Sequence, residues 1–377
     1  MKKIIFTLLV CLCLGVGLFF YFKINQQTVE VIAPTKNTAK NFPDTIDATV
    51  QGTLQDQINA VQVDVSLEEL EQKLDTPQPT LIPTIEVFAS TLHKPLGIAS
   101  LPDGRVLVSD AVGGTLTLFK DADGDFVSDE KIVVARDLAY PSGIALVGND
   151  AYVATSDRVV MFQNVAQATK TLTPQTAVLL ESKDENVAHE VFVHDNVLYI
   201  STSSRCNECV DSLPYGAILG INLVTREQRV VAQGMTSPQG LGVVNGEISF
   251  FTWAPYTHLH ENDSLKFAHH DKDKQVQFKH GLHPTNFLNY NAELFPEWKG
   301  KWVVVLGGSF IETSPLGYEI GVYDNLNDFA SYESLFPQSF LRNKQVRAKP
   351  HAVAIGARGE IYITDSMNGK IFVITKK

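Results

Sequence analysis

The sequence predicts an all-β fold, a six-bladed β-propeller over residues 86–377, preceded by an N-terminal transmembrane helix and a flexible stalk. Three observations predict it. A Pro-x-Gly unit recurs along the chain, strict apolar alternation follows each copy, and one long apolar run stands at the N-terminus.

The N-terminal run comes first. Lys2 and Lys3 precede an apolar run over residues 4–22, closed by Lys23. As a helix this stretch would be about 28 Å long, close to the thickness of a bilayer core. Secretory signal cores are shorter, and no small-x-small cleavage site follows, so residues 1–24 read as an uncleaved anchor. The two lysines favour a cytoplasmic start, which places the remaining chain in the periplasm or exterior. A cleaved signal is the alternative. A lipoprotein site at Cys11 or Cys13 is disfavoured by the bulk of Val10 and Leu12.

Residues 25–85 are rich in Gln, Thr, Asp and Pro and poor in aromatics, the composition of a stalk. One short helix is expected within it, because Ser66 and Glu69 form a capping box and Leu67, Leu70 and Leu74 share a helical face.

The repeats follow. Lys94-Pro95-Leu96-Gly97-Ile98-Ala99, Tyr140-Pro141-Ser142-Gly143-Ile144-Ala145, Ser237-Pro238-Gln239-Gly240-Leu241-Gly242, His283-Pro284-Thr285-Asn286-Phe287 and Lys349-Pro350-His351-Ala352-Val353-Ala354 each lead through a turn into an alternating apolar strand. A degenerate third copy begins Ala188-His189-Glu190-Val191. Starts lie roughly 45 to 65 residues apart. Alternation makes each unit a meander of strands. One meander cannot bury both of its faces, so copies must pack side by side around an axis.

This packing has a chemical consequence. If every Pro marks the entry to an inner strand, the residues flanking it ring a central mouth. The preceding set is Lys94, Tyr140, Ala188, Ser237, His283 and Lys349; the following set is Leu96, Ser142, His189, Gln239, Thr285 and His351. The chain carries a net charge of −11, which argues against general nucleic-acid binding. Cationic residues converging on one opening of an acidic protein suit a small anionic ligand.

Asp121, Asp123, Asp125 and Asp129 stand as Asp-x-Asp-Gly-Asp-x-x-x-Asp. Closely spaced carboxylates on a tight loop suit a hard cation such as Ca²⁺ in a structural role. The loop is not an EF-hand, since Phe126 and Ile132 occupy the positions of the conserved Gly and Glu. Cys206 and Cys209 follow a strand in an oxidising compartment, so a small disulfide is expected there rather than thioredoxin chemistry; zinc would need two further ligands. The histidines scattered from His258 to His283 have irregular spacing and read as an exposed excursion. No phosphate-binding Gly-Lys-Ser/Thr loop and no Gly-x-Ser-x-Gly elbow is present.

Several local strings carry a resemblance. Leu118-Phe119-Lys120-Asp121-Ala122-Asp123-Gly124-Asp125, Ser203-Ser204-Arg205-Cys206-Asn207-Glu208-Cys209 and Phe295-Pro296-Glu297-Trp298-Lys299-Gly300-Lys301 with Gly307-Gly308-Ser309-Phe310, together with the repeat, resemble the glucose/sorbosone dehydrogenase family over residues 92–374. The resemblance implies a periplasmic six-bladed propeller using pyrroloquinoline quinone (PQQ). It implies that His189 removes a hydroxyl proton while hydride passes to the quinone. It places Lys94, Ser237, Gln239, Lys349 and His351 around the cofactor. A sugar or related alcohol or aldehyde would be the substrate and a respiratory carrier the electron acceptor. The chain departs from the family's arginines: Ser109-Asp110-Ala111, His189-Glu190, Thr236-Ser237 and Leu213-Pro214-Tyr215 stand where arginines are usual. Lysines supply charge as points rather than as bidentate forks. A non-catalytic propeller binding a sugar, a peptide or a cell-envelope partner is therefore the second expectation.

Overall fold

The computed structural model describes residues 21–25, 28–32, 82–180, 188–205, 212–253, 264–267, 275–277, 282–309, 315–326, 333–335 and 340–376. The chain divides into two compact units, Met1–Thr80 and Leu81–Lys377.

In the first unit the described residues form a hairpin, Tyr21–Asn25 against Thr28–Ile32. The end of the expected anchor is thus extended, not helical. The rest of that run and the short helix expected near Ser66 lie outside the described residues. Among the described residues, no helix is long and apolar enough to cross a membrane.

Among the described residues, the second unit contains six four-stranded antiparallel sheets. Their inner strands are Pro95–Ser100, Ile144–Val147, Ala188–His194, Gln239–Val244, Pro284–Asn289 and Pro350–Ile355. We number the blades one to six in this order. The inner strands touch in cyclic sequence, and blade six touches blade one, so the ring closes. Blade six is composite. Its outer strand, Pro83–Ala89, comes from the N-terminal side and pairs with Lys370–Lys376 at the C-terminus. The propeller's described strands therefore begin at Pro83, three residues ahead of the expected boundary at 86.

The core is divided among the seams between blades. Leu107, Leu118, Val153 and Phe162 fill the seam of blades one and two. Val303, Val305, Ile361 and Ile363 fill that of five and six, and Phe88, Tyr362, Val106 and Val108 join six to one. Successive side chains along a strand point to opposite seams, which is why alternation in the sequence marks every blade. Each such buried side chain contributes about 1.5–3 kcal/mol.

Proline marks a bulge at the start of an inner strand. Register shifts fall at Pro95/Ile98, Ala188/Glu190, Gln239/Gly242, Pro284/Asn286 and Pro350/Val353. In three blades a hydroxyl on the second strand plugs the bulge: Ser109 Oγ accepts from Gly97 N at 2.8 Å, Ser201 Oγ from Glu190 N at 3.0 Å, and Thr364 Oγ1 from Ala352 N at 3.0 Å. The bulge is also a close approach between blades. A Cβ on Gly97 would lie 2.1 Å from Ser142 O on blade two. This alignment corrects one assignment: Ala188, which pairs with Thr202 as Pro95 pairs with Asp110, holds the proline position rather than the one before it.

Candidate functional site

Each inner strand starts at the same end of the ring, so residues next to the bulge prolines form one mouth. Lys94 and Lys349 occupy the same position on adjacent blades one and six. Their backbones are held identically: Asp110 Oδ1 accepts from Lys94 N at 2.7 Å, and Asp365 Oδ1 accepts from Lys349 N at 2.9 Å. Both aspartates are buried. Asp110 is stabilised as an anion; burial raises its pKa, but the amides of Lys94, His93 and Gly113 outweigh this and lower it overall.

The side chains follow the ring. Lys94 Nζ donates to Tyr140 Oη on blade two at 2.5 Å and lies 5.1 Å from the centre of that ring. Burial depresses the Lys349 amine, and the neighbouring Lys94 charge depresses it further, to about 8. His351 Nδ1 lies 3.1 Å from Leu96 O, and Thr285 Oγ1 donates to His351 O at 2.6 Å, tying blades five, six and one. Two mouth residues before proline, Tyr140 (φ 51°) and His283 (φ 44°), sit in the left-handed region, where a non-glycine residue is strained. His283 is held there by Gly308 O at 2.8 Å from its Nδ1 and by stacking on Trp253.

Across the ring the described lining includes two hydroxyls and an amide. Ser203 Oγ and Ser237 Oγ are 3.5 Å apart, and Gln239 Nε2 donates to Ser237 Oγ at 3.4 Å. Gln239 is 5% exposed, and its Oε1 is buried with no donor among the described residues. An acceptor in that condition fits a ligand that brings a hydroxyl or N–H.

Glu190 is the functional residue that sequence reasoning passed over. It occupies the bulge position held by Gly97 and Gly240 in other blades, and it is 6% exposed. Blade four carries Phe251 where blades one, three and six carry the plugging hydroxyl, so its bulge amides need another acceptor. Glu190 Oε2 takes Leu241 N at 2.9 Å, the Gly240 amide also donates to the carboxylate, and Oε1 takes Asn286 Nδ2 at 3.0 Å. Gly240, at φ +63°, leaves the space; a Cβ there would lie 2.6 Å from Phe251 Cδ2. Desolvation pushes the carboxyl up to about 7, against those donors. The signal in the sequence was the departure itself: an acid where the repeat has glycine.

The remaining expected residues divide as follows. His189 lies in the inner strand Ala188–His194, in the register position of Leu96 and His351; its side chain lies outside the described structure. Cys206 and Cys209 lie outside the described residues, in the connection between Val197–Thr202 and Ala217–Asn222, which leaves the sheet at the mouth end. The Asp loop is elsewhere. It joins the two outer strands Thr115–Lys120 and Glu130–Ala135, at the end of the blade opposite the mouth. Carboxylate oxygens of Asp121, Asp123 and Asp129 lie within 4.8 Å of one another. Asp125 is not in that group, and its carboxylate accepts from Val127 N at 2.7 Å. Arg358 of blade six already reaches Asp121, at 2.6 Å, and covers the Phe126 ring. The loop thus holds one cationic partner from the chain itself.

No protein-family model matches the chain. An uncharacterized protein of Borreliella burgdorferi is 23% identical over 362 residues, covering 82% of this chain and 93% of its own length. The calcium structure of a Trichoderma reesei carbohydrate-active enzyme of family AA12 superposes with a TM-score of 0.63 at 16% identity, over 80% of this chain and 98% of that one. The holo PQQ domain of pyranose dehydrogenase from Coprinopsis cinerea gives 0.60 at 14% identity, over 79% and 98%. The soluble aldose sugar dehydrogenase of Escherichia coli gives 0.56 at 12%, over 78% and 100%. At these identities the likeness establishes a shared propeller fold.

Proposed function

We propose that the chain is a sugar oxidoreductase acting at the propeller mouth, on an aldose or a related alcohol or aldehyde. The observation that carries this reading is the pairing of adjacent cations, Lys94 and Lys349, with a buried open acceptor, Gln239 Oε1, at one mouth of a fold shared with sugar dehydrogenases. Such a lining suits an acidic planar cofactor on the cationic side and a polyol on the side of the hydroxyls and the amide.

The donor set fits PQQ. Lys94, Lys349 and His351 would hold its carboxylates, with Ser237 and Gln239 at its other end. When bound, PQQ supplies a two-electron acceptor. The chain's part is to orient the substrate and move its proton: His189, at the bulge beside the mouth, would take the hydroxyl proton, a task suited to imidazole near neutral pH. Electrons would leave to a respiratory carrier. Residues 1–24 would tether the propeller to the cytoplasmic membrane on its outer side, and Cys206–Cys209 would close a loop over the mouth. A Ca²⁺ ion would take Asp121, Asp123 and Asp129. The Asp loop lies away from the mouth, so the ion would be structural.

The test is thermal melting of the full chain with PQQ, followed by dye reduction with a panel of aldoses. Stabilisation by PQQ together with sugar-dependent turnover is expected. Absence of any shift overturns the cofactor assignment. A shift without turnover on any sugar favours the second reading, a propeller that binds without catalysis; the absent family arginines support that reading.

A further inference from the structure

We propose that the cleft between blades two and three, at the end of the ring away from the mouth, binds a small amphipathic carboxylate, with the apolar body against Tyr152 and Met161 and the anionic end on Arg226. The site shares no residue with the mouth, and the inference is independent of the oxidoreductase reading.

The seam of these two blades does not close at its outer end. In blade two Val159 pairs with Val178 but Val160 pairs with Thr176, so Ala177 is left over as a bulge. A bulge bends the strand that carries it. The cavity beside it measures about 380 Å³, within the size range of small-molecule sites. Tyr152, Met161 and Val178 of blade two and Ile221 of blade three form its apolar floor. Arg226 and Gln228 of blade three, both exposed, stand at its edge.

Arg226 is presented there by a closely held turn. Asn222 Oδ1 accepts from Val224 N at 2.8 Å and from Thr225 N at 2.9 Å. Arg226 N donates to Asn222 O at 2.9 Å, and Asn222 N donates to Glu227 O at 2.9 Å. The turn holds Arg226 at φ 65°, a left-handed conformation that Gly, Asn and Asp adopt at less cost. Arg105, Arg158 and Arg358 each pair with an aspartate. The Arg226 guanidinium has no carboxylate partner among the described residues. Glu227, next in the chain, accepts from Thr225 Oγ1 instead, and Arg229 turns to Tyr199 Oη. A guanidinium left over in this way, beside a floor of aromatic, thioether and branched side chains, complements a ligand with one carboxylate and an apolar body.

The experiment is an NMR titration of the full chain, isotope-labelled at its methionine methyl groups, with phenylacetate. The chain has four methionines. Met161 lines the cleft, Met235 is buried in the seam of blades three and four, and Met367 stands at the mouth end of blade six. Met161→Leu assigns the reporting signal. Phenylacetate is expected to shift the Met161 methyl saturably in the millimolar range and to leave Met235 and Met367 in place. Phenylacetamide, the neutral counterpart, should bind about tenfold more weakly, and Arg226→Gln should weaken phenylacetate by a similar factor, the loss expected for one charge-assisted hydrogen bond. Acetate, which has the anion but no apolar body, should also bind about tenfold more weakly or less. Arg226 is exposed, so the variant should keep the wild-type melting temperature. No saturable shift at Met161, equal affinity for phenylacetamide or acetate, an unchanged response in Arg226→Gln, or a shift confined to Met367 would each overturn the proposal.

Discussion

Glu190 of blade three accepts a hydrogen bond from Asn286 of blade five at 3.0 Å, reaching past the bulge of blade four that it also satisfies. Three consecutive blades are thereby tied by one buried carboxylate. Its cost is desolvation, which raises its pKa from 4.5 to about 7. The sign follows from linkage. A carboxyl whose folded pKa is raised binds its proton more tightly when folded, so its stabilising effect is full below pH 4.5 and is lost as pH rises towards 7.

The stability of the wild-type chain should therefore contain a component that declines between about pH 4.5 and 7 and is flat above. Glu190→Gln should remove that component, because the amide does not titrate and Asn286 can turn its oxygen to the new N–H₂. Glu190→Ala should be less stable than Glu190→Gln by about 1–3 kcal/mol at any pH, since bulge amides lose their acceptor. Denaturant titrations at pH 5 and pH 7.5 read both. An unchanged slope in Glu190→Gln would remove Glu190 as the source.

Arg358 and the Asp loop make a second link, between blades six and one. Arg358 is well exposed, so the pair with Asp121 should contribute no more than about 1 kcal/mol after solvent screening. The more informative prediction concerns ions. The guanidinium occupies the charge that a bound Ca²⁺ would otherwise satisfy. Arg358→Ala should lower the melting temperature slightly without Ca²⁺ and increase the stabilisation that added Ca²⁺ gives. Equal Ca²⁺ response in the two proteins would show that Arg358 and the ion do not compete.

Much of this architecture is legible in the residues. Pro95, Pro141, Pro238, Pro284 and Pro350 announce the inner strands because a bulge tolerates a residue without an N–H, and alternating Val, Ile and Leu announce the seams. The mouth lysines follow from that repeat. What the sequence conceals is whatever depends on a partner far along the chain. Residues 83–85 look like the end of a stalk because their ladder partners, in Lys370–Lys376, lie at the other terminus. Glu190 looks like a solvated acid beside His189 because its meaning depends on Phe251 standing where another blade has Ser109. Asp125 looks equivalent to Asp121 in spacing, but its carboxylate lies outside the group that Asp121, Asp123 and Asp129 form.

Gly97 offers a direct test of the close approach between blades. Its Cβ would meet a backbone oxygen of blade two, Ser142 O, which no rotamer change can move aside. Gly97→Ala should lose about 1–3 kcal/mol or more by overpacking. Gly104→Ala, where a Cβ meets nothing within 4 Å, isolates the separate effect of a positive φ. A Gly97→Ala protein as stable as wild type in urea would mean that the seam of blades one and two is looser than the bulge geometry requires.

The ring's closure should depend most on Phe88. The strand that carries it is joined to the C-terminal strand only by hydrogen bonds and packing, whereas the other blades are closed by the chain's own turns. Phe88 is 1% exposed and meets Tyr362 edge-on at 4.7 Å, in the seam where the last blade joins the first. Phe88→Ala should cost about 3–5 kcal/mol, the range for a fully buried aromatic. Because the unpaired edge of Lys370–Lys376 would then be released more often, the variant should also aggregate under conditions in which wild type does not. A comparable truncation on the rim, Leu213→Ala, which is half-exposed, should cost less than about 0.5 kcal/mol. Denaturant midpoints for the two variants, with light scattering through the transition, separate these outcomes. If Phe88→Ala lost no more than Leu213→Ala, closure by the N-terminal strand would not be what holds the propeller shut.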